Sequence, residues 1–318
     1  MALGTNHVTV TTAANFIPEI WSDEIAAAYK KNLVAANLIK KMSFKGKKGD
    51  TVHIPVPTRG TASAKAASTQ VTLIAATEGV VDISINKHYE YSRLIEDIVE
   101  AQALSSMRQF YTDDAGYALA KQIDSDIIRL GRTANGGSAG ARYNAAYIGG
   151  DGTTAFDYTA NTNTGNASAL TDAAIRRTIQ RLDDQDVPMD GRFFIIPPSS
   201  RNTLMGLARY TEQAFVGEAG AGNTIRNGEV GNLYGMAVFV TSNADSASAT
   251  AAFPDSGTAI ARIALMGHKD SFALVEQVGI RSQTQYKQEY LGTLFTADTL
   301  YGVGELRDYG AVALAVPA

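Results

Sequence analysis

A stripe of apolar residues between positions 92 and 131 constrains this chain more than any other feature. Leu94, Ile98, Ala101, Met107, Tyr111, Ala115, Leu119, Ile123 and Ile127 recur at steps of three, four or six residues. That is one face of a helix. Ser92 stands where a cap belongs, and Glu96, Asp97 and Glu100 lie where the helix dipole favours anions. Arg129 falls in the last turn and Gly131 follows as a stop. The spacing predicts one helix of roughly 55–60 Å, about three times the usual length. A helix of that length needs support from end to end. Gly116, near its middle, is expected to mark a bend. The stretch contains no His, so it reads as a structural spine rather than a catalytic helix.

The segment before the spine cannot fold alone. Thr51–Pro57 and residues 80–85 alternate in polarity and are rich in β-branched residues, with a small, polar stretch at 58–68 between them. This predicts a long two-stranded hairpin whose prolines, Pro55 and Pro57, restrict it to edge positions. A lone hairpin buries no face of its own and is marginal in water. It needs a surface, in this chain or in a neighbour. Charge favours a neighbour. Residues 1–90 hold ten Lys and Arg against seven Asp and Glu, whereas the remainder holds 18 against 25. Arms of one copy resting on the body of another would suit that asymmetry.

Residues 1–15 read as an extended arm, and Pro18 opens a short helix carrying Trp21, Ile25, Tyr29 and Leu33. Five lysines fall between positions 40 and 48, around Phe44 and Gly46. They read as a solvated turn or a partner-facing charge patch rather than a phosphate site. Residues 132–169, rich in Gly, Ala, Asn and Thr, form a long loop or a small strand-bearing insertion.

Helical period returns at 170–185, with Thr171 as cap, Asp172 in the first turn, and Ile175, Ile179 and Leu182 inward. Arg192–Ile196 is a short buried strand ending at Pro197 and Pro198, and Ser199 is expected to cap a helix to about Tyr210. Residues 217–235 hold six glycines but lack the Lys-Ser or Lys-Thr of a phosphate loop. Further strands are expected at 236–240, 260–266, 272–278, 280–286 and 311–316, with the first two in one sheet. The class is mixed α+β.

Chemistry is sparse. His7, His53, His88 and His268 are scattered. Gly-Gly-Ser-Ala-Gly at 136–140 matches a nucleophile elbow in letters, but follows a helix end where a strand is required. Asp183, Asp184 and Asp186 could suggest a metal, yet no further ligands cluster with them, and they read as a solvated helix end. The absence of Cys excludes disulfides and thiolate metal sites. A net charge of −4 argues against a dedicated nucleic-acid binder. The longest apolar runs are far short of the ~18 residues that span a bilayer. No catalytic, cofactor-binding or metal-ligating residue is expected, and no cofactor.

The order of parts resembles the major capsid proteins of tailed bacteriophages, which have the Hong Kong 97 type fold. The resemblance rests on Phe16-Ile17-Pro18-Glu19-Ile20, then Gly49-Asp50-Thr51-Val52-His53-Ile54-Pro55-Val56, the hairpin and the spine. In the later half it rests on Val187-Pro188-Met189-Asp190-Gly191-Arg192, on Gly231-Asn232-Leu233-Tyr234-Gly235-Met236-Ala237-Val238, and on Leu300-Tyr301-Gly302-Val303.

It implies an N-terminal arm at 1–48, an E-loop hairpin at 49–90 and a P-domain at 91–165 with the spine helix. It also implies an A-domain at 166–268 with a central sheet flanked by helices, P-domain strands at 269–299 and an A-domain C-terminal strand at 300–318. The implied function is self-assembly into hexamers and pentamers of an icosahedral shell around double-stranded DNA. That DNA would be contacted weakly and without sequence specificity, in a virion assembled in the host bacterial cytoplasm. The implied partners are further copies, a portal protein, a decoration protein and a separate scaffolding protein, because only about 15 residues precede the first helix. Some relatives cross-link Lys to Asn. Lys65 lies near the hairpin tip, but no partner Asn or catalytic Glu matches, so no cross-link is expected. The alternatives are an encapsulin-like compartment and a soluble carboxylate-dependent enzyme.

Overall fold

A computed structural model describes residues 33–57, 60–71, 73, 78–97, 107–132, 134, 147–149, 167–207, 232–247 and 261–317. Three sheets organise them. A four-stranded sheet has the order β1–β11–β12–β4, from β1 (Lys40–Ser43), β11 (Phe272–Lys287), β12 (Gly292–Glu305) and β4 (Lys87–Glu96). A two-stranded sheet pairs β2 (Thr51–Pro57) with β3 (Glu78–Ser84). The third runs β5–β13–β10–β6–β8–β7, with β9 (Ser246–Ala247) pairing β10. Its strands are β5 (Tyr147–Gly149), β6 (Arg192–Ile196), β7 (Asn232–Leu233), β8 (Met236–Val240), β10 (Ala261–His268) and β13 (Ala311–Pro317). Strands 236–240 and 261–268 share one sheet, as their sequence suggests.

The seven-stranded sheet is covered on both faces, so its central strands are almost continuously apolar. Phe193, Ile195, Ile263, Leu265, Ala313 and Ala315 face one core with Ile123, Ile127 and Ile128 of helix α1 (Met107–Arg129). The alternate residues Phe194, Ile196, Ala264, Met266, Val312 and Leu314 face a second core. That core is closed by Ala174, Ile175 and Leu182 of helix α2 (Asp172–Asp184) and Leu204 of helix α3 (Pro198–Met205). Thr171 caps α2 as its sequence predicts, accepting from the Ala174 amide at 3.2 Å. Helix α1 ends at Arg129, and Gly131 lies in the following 3₁₀ turn. A Cβ there would lie 2.8 Å from the tip of the Leu265 side chain, which would have to shift to admit it.

The spine is shorter than the stripe suggests. Residues 92–96 are the second half of β4, whose backbone pairs with β12 from Lys87 to Glu96. Ser92 is therefore no cap, and Glu96 is in a strand. The described helix has 23 residues, and Ile98 and Ala101 lie outside the described residues. Leu94 fits a helical step of four, but Tyr89 and Tyr91 also alternate at period two and pack onto Ala115, Leu119, Phe295 and Ala297. Strand pairing with β12 decides between the two patterns.

Four further expectations change. The boundary at 90/91 falls inside β4, and that at 299/300 falls inside β12. Residues 147–149, expected in an insertion of the spine domain, add an edge strand to the seven-stranded sheet by pairing in parallel with β13. Runs 272–278 and 280–286 are one strand, β11, with register shifts near Val278 and Gly279. Pro197, not Ser199, occupies the cap position of α3. The Ser199 hydroxyl donates instead to the Pro317 carbonyl at 3.0 Å. Helix α3 ends at Met205, and Tyr210 lies outside the described residues.

Candidate functional site

The residues singled out for chemistry do not converge. His7, the 136–140 string and most of the glycine-rich 217–235 loop lie outside the described residues. His53 faces Asp82 across the hairpin, His88 pairs with Asp298 on the four-stranded sheet, and His268 is buried at the end of β10. Asp183 holds the buried Arg192 guanidinium at 2.6 Å, which also donates to the Val187 and Pro188 carbonyls. That bond ties the end of α2 to β6, so Asp183 is part of the fold rather than a free carboxylate. Asp184 and Asp186 are exposed. Among the described residues no group of three His, Cys, Asp or Glu is placed to hold a metal. Among the described residues no helix is long and apolar enough to cross a membrane.

What the structure builds carefully is a junction. Asp124 and Asp126 of α1 are buried on the flank of its apolar stripe. The Ala35 amide donates to Asp124 Oδ1 at 2.7 Å and the Asn243 side-chain amide to Oδ2 at 2.9 Å. Asp126 accepts from Tyr301 on β12 at 2.8 Å, from Lys87 on β4 at 3.0 Å, and from Gln122 at 3.2 Å. Burial first, and the Asp126 carboxylate second, push the Tyr301 hydroxyl far above its ordinary pKa, so it stays a donor. Two carboxylates thus fasten the incoming chain, the loop after β8 and two strands to one helix. The sequence signal was available: two Asp set among Ile123, Ile127 and Ile128 at helical spacing.

From this junction the molecule extends in opposite directions. The hairpin β2–β3 is rooted on the four-stranded sheet by Ile83 and Ile85, packed on Ala273 and Val275. Gly302 and Gly304 of β12 admit that root: a Cβ on Gly302 would lie 2.4 Å from the Ser84 carbonyl oxygen, and one on Gly304 2.7 Å from Ile83. Farther along, Val81 and Leu306 both pack against this cluster. The hairpin therefore runs toward the Glu305 end of β12. A groove of about 730 Å³ separates it from the α2–β6 turn, lined by Ile54, Val56, Lys40, Asp186, Asp270 and Arg307.

The other extension is the far half of β11–β12–β4. A row of charge crosses it. Arg281 on β11 donates twice to Asp298 on β12, at 2.8 and 2.9 Å, and His88 on β4 lies 3.3 Å away. The Arg281 hydrogen bonds hold the Asp298 carboxyl below its ordinary pKa. Stability from this pair is present above the ordinary carboxylate range and is lost as pH falls through the depressed pKa. In Arg281→Gln the pKa returns toward the ordinary value of 3.8. The expected result is a shallower loss of stability below about pH 4, measured as the denaturant midpoint against pH. An unchanged slope would show that Arg281 does not set this titration.

Exposed apolar side chains gather on the two extensions. Val56, Val71, Leu73 and Val80 lie on the hairpin. Leu94, Ile280, Tyr286, Tyr290 and Leu291 lie on the far sheet. Neither cluster has cover within the described residues, which is the pattern of surfaces completed by other molecules.

The comparisons agree with this layout. The family described as phage capsid protein matches residues 89–314. A chain of Mycobacterium phage Che8 superposes with a TM-score of 0.73 at 23% identity, covering 94% of this chain and 97% of that one. The capsid of Cyanophage P-SCSP1u gives 0.73 at 20% identity over 99% and 96%. The mature capsid of bacteriophage PhiM1 gives 0.69 at 13% over 94% and 92%. A comparison with curated protein sequences found no match. The fold is Hong Kong 97-like, and the family match covers well over half of the sequence. This chain belongs to the phage capsid protein family and is a structural, non-enzymatic major capsid protein of a bacteriophage virion.

Proposed function

We propose that the chain assembles as hexamers and pentamers that close into an icosahedral shell around double-stranded DNA, in the cytoplasm of a bacterial host. The observation that carries this reading is the hairpin, whose root is buried while Val56, Val71, Leu73 and Val80 remain exposed. In this reading β2–β3 is the E-loop lying over a neighbouring subunit. Helix α1 and the four-stranded sheet form the P-domain. The seven-stranded sheet forms the A-domain near the capsomer axis. A scaffolding protein, a portal protein and a decoration protein complete the partners. Contact with DNA is weak and without sequence specificity, as suits a net charge of −4.

Negative-stain electron microscopy of the protein, expressed with and without its neighbouring genes, tests the reading. Closed particles, sheets or capsomer rings are expected, with nuclease-resistant DNA inside filled particles. A monodisperse monomer under every condition would overturn it, and shells filled with protein cargo would point to a compartment. Limited proteolysis supplies a second check. Residues 59–65 are expected to be cut at Arg59 and Lys65 in free subunits and protected in shells. Equal cutting in both would remove the E-loop assignment.

A further inference from the structure

Between β10 and β11 the chain leaves the seven-stranded sheet and enters the four-stranded one through residues 269–271. Other segments hang on that turn. The Lys269 amide donates to the Gly191 carbonyl at 3.1 Å, and the Lys40 amide, at the start of β1, donates to the Lys269 carbonyl at 3.1 Å. The Leu306 amide, just past β12, donates to the Ser271 carbonyl at 2.8 Å. The Ser271 hydroxyl donates to the Gly310 carbonyl, ahead of β13, at 2.6 Å. The turn is thus a knot between the two sheets.

A buried histidine, His268, sits at its centre. Its ring bonds to backbone groups whose roles cannot change. The Asp190 carbonyl, 2.8 Å from Nε2, only accepts, and the Asp270 amide, 3.2 Å from Nδ1, only donates. Together they select the neutral ring with its proton on Nε2. One side chain thereby clamps the turn before β6 to the turn after β10. A second proton can enter only at Nδ1, where it meets the Asp270 N–H. Two donors then face each other and that bond is lost. No charge around the ring replaces it in place. The Asp270 carboxylate lies 3.8 Å from Nδ1, beyond hydrogen-bond reach, and is 46% exposed. Asp186, Arg307, Asp308 and Tyr309 line the same cavity of about 390 Å³ as the ring, and the Asp190 side chain is exposed. Lys269 runs along Gly191 beside Nε2, and Arg192, opposite His268 in register, is already bonded to Asp183. An imidazolium therefore reaches the Asp270 carboxylate only if the turn changes shape.

We propose that His268 is a proton-operated latch between the two sheets. Neutral, it holds the β10–β11 turn against the turn before β6. Protonated, it releases the Asp270 amide, loosens the neighbouring bond from Lys269 to Gly191, and so removes one tie between the sheets. The latch belongs to the subunit itself and does not depend on the shell reading.

Hydrogen exchange on the full chain, corrected for intrinsic rates, tests it at about pH 7.5 and about pH 5.5, on either side of the ordinary histidine range. The amides of 269–271 are expected to lose protection by about tenfold or more in acid, while the central strands β6 and β13 keep theirs. His268→Gln retains a donor toward Asp190, His268→Asn retains an acceptor toward Asp270, and neither side chain titrates. In both variants the protection of 269–271 is expected to be the same at the two pH values. Equal protection of the wild-type turn at both pH values, or an undiminished acid response in the variants, would overturn the latch. If the variants misfold, the nitrogen-15 shifts of the wild-type imidazoles decide. A buried ring protonated on Nε2 alone near pH 7.5 supports the latch, and one protonated on Nδ1 overturns it.

Discussion

Gly302→Ala is expected to abolish shell assembly while leaving the seven-stranded sheet folded. The added Cβ would sit 2.4 Å from the Ser84 carbonyl oxygen, a backbone atom at the hairpin root, with Ile85 Cα at 3.1 Å. A flexible side chain could swing away from such a methyl, but backbone must move as a body. The hairpin lifts or tilts on its root, and its tip, many residues away, is displaced by a larger amount. Overpacking of this kind costs about 1–3 kcal/mol within the subunit. The effect on assembly is greater, because the same contact repeats in every subunit and about 1.4 kcal/mol is already tenfold per contact. Particle counts by electron microscopy and thermal unfolding by circular dichroism separate the two effects. Particles in normal yield would show that the hairpin root is not held against β12 in the shell.

Replacing Asp124 by Ala is expected to lower stability by about 2–4 kcal/mol. The carboxylate is fully buried and takes hydrogen bonds from the Ala35 amide and the Asn243 side chain. Each donor left unsatisfied in a dry site costs about 1–3 kcal/mol, and relief from burying the charge offsets part of the total. Asp124→Asn is expected to lie between the two. It keeps an acceptor for Ala35 but turns an amide toward Asn243, which already accepts from Ser125 at 3.2 Å. The midpoint of chemical denaturation measures both variants. A loss below about 1 kcal/mol in the alanine variant would mean that water enters and replaces the carboxylate.

The elements that were legible in the sequence are those whose local signals agree. Thr171 caps a helix because its hydroxyl, the acid after it and the apolar steps at 175, 179 and 182 all point one way. Thr51–Pro57 reads as a strand by alternation, and its prolines correctly restrict it to an edge. Around Leu94 the signals conflict. Its helical spacing to Ile98 is local, whereas pairing of β4 with Leu294 and Phe295 joins positions some 200 residues apart. Such a partner leaves no trace within a window of the sequence. The interior Asp124 and Asp126 were visible as letters but not as a junction, since their donors Ala35, Asn243, Lys87 and Tyr301 come from four distant places.

The parallel pairing of β1 with β11 also bears on timing during synthesis. Lys40 lies opposite Ala273, so β1 emerges from the ribosome about 230 residues before its partner. At roughly 5–20 residues per second, that is a delay of about 12–50 s. The hairpin root has the same dependence, because Ile83 needs Ala273 and Gly304 before it can be buried. A growing chain therefore has no seated hairpin until β11 and β12 have been made. Competence to join a shell arrives late and all at once, when β11 and β12 have been made, so that incomplete chains are kept out of the wall by the order in which the sheet is strung.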